Sequence, residues 1–145
     1  MFKHILIPID GSELSRRAAM KGIGLAKLCQ GKITVLHVIP PFQTIAYMGA
    51  LLAATEFAYN EQAKLDGAQY LADIRSMAEA AGVPFEGEAD FGDQPSETIL
   101  GVAKAKQCDL IVMGSHGRRG MTRLLLGSET QKVLLGSQVP VLVCN

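Results

Sequence analysis

The run Asp109-Leu-Ile-Val-Met-Gly-Ser-His-Gly-Arg-Arg-Gly-Met-Thr-Arg-Leu-Leu-Leu-Gly-Ser-Glu-Thr-Gln-Lys-Val133 decides how the rest of the chain is read. Leu110 to Met113 is a short apolar run of the kind that forms a buried strand. The pattern breaks at Gly114, passes through a loop holding Gly117 and Gly120, reaches Gly127-Ser128 and then turns helical. Strand, glycine-rich loop and helix start is the arrangement by which a chain offers backbone N–H groups to a phosphate. Glycine lets the backbone come close to a ligand. A Ser at the helix N-cap adds a hydroxyl beside the free amides of the first turn. Ser128 and Gln131 have capping-box spacing, so a helix is expected to start at Ser128.

Working outward, the same alternation of strand and helix repeats along the chain. Lys3 to Ile9 reads as a strand buried on both faces, because Ile5, Leu6, Ile7 and Ile9 are nearly continuous. Asp10-Gly11-Ser12 ends it. A helix to about Cys29 follows, with Ala19, Gly22, Ile23, Ala26 and Cys29 at helical spacing, and Gly31 is expected to stop it. Ile33 to Ile39 is the second strand, closed by Pro40-Pro41. From Phe42 to Tyr59 the pattern blurs, and an irregular opening that becomes helical near Leu51 is expected. Tyr70, Ile74, Met77, Ala78 and Ala81 then form one apolar stripe of a helix that Gly82-Val83-Pro84 closes. In Phe85 to Phe91, apolar residues and Gly87 alternate with Glu86, Glu88 and Asp90, as in a half-exposed edge strand. Pro95 fits the first position of the next helix, whose apolar face is Ile99, Val102 and Ala103. Gly136-Ser137 ends the last helix, and Val139 to Cys144 is the fifth strand. Five strands alternating with four helices imply one α/β domain over residues 1–145, with a parallel sheet covered on both faces.

Composition narrows the function. With 145 residues, 48% hydrophobic and 19% charged, the chain is an ordinary globular domain. Fourteen basic residues balance fourteen acidic ones, which argues against a general nucleic-acid binder. No signal peptide is visible, and the apolar run from Ile45 to Thr55 is too short to cross a bilayer, so a cytoplasmic protein without membrane insertion is expected. Cys29, Cys108 and Cys144 lack C-x-x-C spacing and read as reduced packing residues. His116 has no second His, Cys or carboxylate spaced to complete a triad or a metal cage. No residue set supplies a nucleophile and base for efficient turnover.

The glycine spacing is Gly114, two residues, Gly117, nine residues, Gly127-Ser128. It is neither a Walker A loop nor a dinucleotide fingerprint. Together with Ile5-Leu6-Ile7-Pro8-Ile9-Asp10-Gly11-Ser12 and Pro140-Val141-Leu142-Val143, it resembles the nucleotide-binding branch of the universal stress protein family over essentially the whole chain. The resemblance implies a Rossmann-like sheet in the order 3-2-1-4-5. Asp10 and Gly114 then end the two strands that flank a topological switch point, where open α/β sheets bind ligands. It further implies ATP or another adenine nucleotide as ligand, with magnesium on the phosphates. The cradle would be Gly117, Gly127 and Ser128, with Gly114 in the binding site at the end of strand four. Asp10 would contact adenine, ribose or a bound metal, the backbone of Val38 would contact adenine, and Pro8 and Met113 would line the pocket. The alternative reading of Asp10 is a turn former before Gly11. Arg118, with Arg119 and Arg123, either offsets phosphate charge or is solvated.

Glu129 departs from the pattern, which usually has a small apolar residue there. It suits the positive end of a helix dipole. Beside a phosphate it is expected to repel the ligand unless a divalent cation intervenes, so that Glu129→Val would tighten binding at low magnesium. The resemblance also implies a C₂ homodimer through the fifth strand, with Val139, Val141, Leu142 and Val143 at an edge that lacks a charged gatekeeper. The expected role is a stress-response sensor that reads nucleotide occupancy. The alternatives are an ATP-hydrolysing or ATP-dependent transfer enzyme of the same superfamily, with slow turnover, and a dimeric interaction module without nucleotide.

Overall fold

The computed structural model describes residues 1–43, 53–117 and 125–145. In chain order the elements are β1 (His4–Ile9), α1 (Glu13–Cys29), β2 (Lys32–Ile39), α2 (Ala53–Ala81), β3 (Phe85–Phe91), α3 (Pro95–Ala105), β4 (Leu110–Gly114), α4 (Ser128–Gly136) and β5 (Val141–Cys144). The strands form one parallel sheet in the order β3-β2-β1-β4-β5. The α/β class, the five parallel strands and the strand order are those expected.

Alternation along β1 divides the core in two. Ile5, Ile7 and Ile9 pack with Ala18, Ile23 and Ile74 under α1 and α2. Leu6 points the other way and joins Leu36, Ile99, Ile111, Met113 and Val133 under α3 and α4. Ile5, Leu6 and Ile7 are fully inaccessible. Each such side chain contributes about 1.5–3 kcal/mol of burial, which makes the β1–β4 seam the rigid centre of the molecule. The stripe Tyr70, Ile74, Met77, Ala78 and Ala81 belongs to the first core. β3 is the exposed edge expected from its charges, and Lys106 reaches across from α3 to Glu86 and Glu88. Cys108 and Cys144 are buried packing residues. Burial pushes the Cys108 thiol up to about 11 and raises that of Cys144 as well, so neither is a ready nucleophile.

Several local expectations need correction. Helix α1 is closed by Gln30, not Gly31: Gln30 takes the left-handed conformation (φ 52°) and its amide points back at Ala26 O and Lys27 O. Gly31 N also donates to Ala26 O at 2.8 Å, completing the reverse turn. β5 starts at Val141, so Val139 is outside the edge strand. There the Ser137 hydroxyl holds both backbone groups of Val139, and Pro140 joins the sheet only through its carbonyl, which accepts from Ile111 N at 3.0 Å. Ser128 is not the cap of α4. Gly127 occupies the cap without a side-chain bond, Ser128 is the first helical residue, and the Gln131 amide turns back to Leu126 O at 2.8 Å. In the blurred stretch, Phe42 is buried and stacks obliquely on Tyr59, whose hydroxyl donates to Pro40 O at 2.6 Å. Residues 44–52, including the expected helix start near Leu51, lie outside the described residues.

Candidate functional site

The carboxyl ends of β1 and β4 lie side by side, and the chain leaves them toward opposite faces, into α1 and α4. That divergence opens a crevice above the strand ends. Asp10 stands on one bank. Its Oδ1 accepts from Ser12 N at 2.9 Å, Ser12 Oγ accepts from Ser15 N at 3.1 Å, and Ser12 thereby caps α1. Gly11 turns the chain with φ +81°, and the Tyr70 ring fills the space where a side chain would stand. The turn-forming reading of Asp10 is therefore seen directly. Its other oxygen faces the opposite bank, 2.8 Å from where a Cβ on Gly117 would lie.

On the β4 side the backbone is stitched before α4 begins. Ser115 N donates to Cys144 O at 2.8 Å, and Gly127 N donates to Ser115 O at 2.7 Å. The Gly127 amide is thus spent on the loop itself. A Cβ on Gly127 would lie 3.0 Å from His116 Cα, so the helix start is pressed against the loop. Gly114 is buried, with Leu14 against it. The first helical bond of α4 runs from Gln131 N to Gly127 O. It leaves the amides of Ser128, Glu129 and Thr130 as the donors that a helix N-terminus presents, beside the exposed Ser128 hydroxyl. Thr130 itself is anchored, its hydroxyl donating to Gly114 O at 3.0 Å.

The remaining candidates distribute unevenly. Ile39 O accepts from Gly92 N on the β3 side. Because successive carbonyls of a strand alternate sides, that of Val38 points toward β1 and the crevice. Pro8 is half-buried in β1, and Met113 is buried in the second core below the crevice. Arg118, Arg119 and Arg123 lie outside the described residues. His116 Nδ1 is 3.2 Å from Ser115 Oγ, a local contact within the loop. Glu129 was expected to face the ligand, but its carboxylate is engaged elsewhere. Oε2 accepts from Ser96 N at 2.8 Å, at the start of α3, and Oε1 accepts from Lys132 at 3.1 Å. Burial opposes its charge, but these hydrogen bonds outweigh burial and hold its pKa below the usual carboxylate value. Nothing in the sequence couples positions 96 and 129, and Thr130 carried no signal beyond its place after the final Gly-Ser.

Residues 1–145 match the model of the universal stress protein family. The chain belongs to that family. Universal stress protein MJ0531 of Methanocaldococcus jannaschii is 34% identical over 143 residues, which cover 99% of this chain and 82% of the relative. Among solved structures, that of MJ0577 from the same organism superposes with a TM-score of 0.84 at 28% identity, covering 99% of this chain and 96% of the other. A universal stress protein solved in complex with cAMP superposes with a TM-score of 0.74 at 22% identity, covering 99% and 97%. That last likeness is one of fold. A cavity of about 240 Å³ beside the Gly11 turn, walled by Ser12, Arg16, Tyr70 and Asp73, opens between α1 and α2 and includes none of the motif glycines. Among the described residues no helix is long and apolar enough to cross a membrane.

Proposed function

We propose that this universal stress protein binds an adenine nucleotide, ATP with magnesium, in the crevice between β1 and β4. It acts as a cytoplasmic, dimeric sensor whose occupancy signals stress. The observation that carries the reading is the start of α4, where three successive amides and the Ser128 hydroxyl meet a backbone that glycines keep open. Such a run of donors suits several phosphate oxygens rather than one. The Val38 carbonyl, aimed toward the same crevice, suits the amino group of adenine. The fold relative in complex with cAMP supports an adenine ligand. Magnesium would enter on the phosphates, since among the described residues no group of three His, Cys, Asp or Glu side chains gathers as a cage. Any hydrolysis is expected to be slow. The dimer reading is supported by the β5 edge, where Leu142 is 42% exposed, and by Leu134 and Leu135 exposed on α4.

Calorimetric titration with ATP, AMP and cyclic AMP, each with and without magnesium, tests the proposal. Gly127→Val, which drives a side chain into His116, is the control. Magnesium-dependent ATP binding that Gly127→Val abolishes is the expected result. Absence of binding by the wild-type protein would discard the nucleotide reading.

A further inference from the structure

The first turn of α4 is held at three points by three consecutive side chains. Glu129 reaches α3, Thr130 reaches the end of β4, and Gln131 reaches Leu126 in the loop. The Glu129 contact also repairs a deficiency in its neighbour. Gln94, at the N-cap of α3, makes no side-chain capping bond, and Pro95 has no amide to satisfy. Glu97 N and Thr98 N both turn to Gln94 O, at 3.1 and 3.3 Å. The Ser96 amide, in a residue only 3% exposed, is met by Glu129 from another helix. A carboxylate at a helix N-terminus is doubly favoured, by the hydrogen bond and by the dipole.

We infer that Glu129 is a positioning residue for the phosphate cradle: its carboxylate, braced on the Ser96 amide of α3, fixes the direction of the amides that open α4. The inference rests on the nucleotide reading of the crevice. It reverses the expectation drawn from charge alone, in which the carboxylate is a repulsive neighbour whose removal tightens binding. With one oxygen on the Ser96 amide and the other on Lys132, the charge is hydrogen-bonded and paired. What remains is the geometric effect. Without the brace, the helix start keeps Thr130 and Gln131 but loses its tie to the start of α3, and donors aimed at a multiply charged ligand lose alignment. Adenosine, which carries no phosphate, does not use that alignment.

The test compares Glu129→Ala, which removes the acceptor, with Glu129→Gln, which keeps an acceptor and removes the charge. Each variant is titrated with magnesium-ATP and with adenosine, and exchange of the Ser96 amide is followed by NMR in the same samples. Glu129→Ala is expected to weaken ATP about fivefold or more, the size of a lost charge-assisted cap, and to leave adenosine unchanged. Glu129→Gln is expected to bind ATP at least as well as wild type, with the Ser96 amide protected in Gln and fast-exchanging in Ala. ATP binding by Glu129→Ala at wild-type strength or tighter would overturn the inference, as would equal weakening toward ATP and adenosine. If wild-type protein takes up no ATP, the nucleotide reading falls and the positioning role with it. The Ser96 exchange then still reports whether the brace itself exists.

Discussion

Oδ2 of the Asp10 carboxylate stands 2.8 Å from the position that a Cβ on Gly117 would occupy. The two banks of the crevice therefore approach as closely as a glycine permits, and the carboxylate cannot easily retreat because Ser12 N holds its other oxygen. Gly117→Ala should force Asp10 or the loop aside and weaken ATP by about tenfold or more, equivalent to about 1.4 kcal/mol. Gly24→Ala is the matching control: inside α1, a Cβ there meets nothing within 4 Å among the described residues. It should leave binding unchanged and stabilise the protein by about 0.5–1 kcal/mol. Equal ATP affinity in wild type and Gly117→Ala would show that the Asp10–Gly117 approach has no part in binding.

Leu142 tests the dimer. It lies in the middle of β5, paired with Val112 on one side, and among the described residues no further strand lies on the other side of β5. Its side chain is 42% exposed, so Lys can be accommodated without breaking the core. Leu142→Lys is expected to give a folded monomer by light scattering, because two copies paired along this edge would bring the new charges together. A dimer that persists would move the interface away from β5.

Burial is legible in a sequence wherever a residue's own chemistry demands it. Ile5-Leu6-Ile7 and Leu110-Ile-Val-Met113 are buried on both faces, and that demand is written into the residues themselves, so the strands are legible, whereas their order comes only from the family resemblance. The errors fell where a bond joins residues that no pattern links. Gln30 rather than Gly31 closes α1, because the carbonyls of Ala26 and Lys27 reward a left-handed residue at that point. The capping box at Ser128 failed because Gln131 found Leu126 O instead. Glu129 was read by charge and proximity to the motif, and its partner, Ser96, is 33 residues away on another helix. A local motif places a residue at a site. It does not say which way the side chain turns.

His4 provides a pH signature. The ring is buried in β1 with Nε2 2.8 Å from Thr34 Oγ1. Burial, reinforced by the charge of Lys32, lowers its pKa below 6.5; Lys106, Glu86 and Asp109 oppose the shift without cancelling it. The unfolded chain therefore binds a proton more readily than the folded one. This contribution to stability is fully present above pH 6.5, the ordinary His value, and is lost as the pH falls from there through the folded value. The melting temperature of wild type should drop more between about pH 7.5 and about pH 5.5 than that of His4→Gln, which cannot titrate. Parallel losses in the two proteins would assign the pH response to other groups.

Thr130→Val separates anchoring of the cradle from bracing between helices. Thr130 is buried, and its hydroxyl donates to Gly114 O at 3.0 Å, tying α4 to the last residue of β4. Valine preserves the shape, so the change removes one buried hydrogen bond and leaves an apolar methyl against a carbonyl. The expected cost is about 1 kcal/mol, or a fall of about 3 °C in melting temperature for a domain of this size. ATP affinity should fall with it, since the bond lost is the one that holds the donor amides over the strand end, whereas adenosine binding should be spared. A variant that melts lower yet binds ATP as wild type would mean that the loop stitching alone, Gly127 N on Ser115 O, keeps the cradle in place.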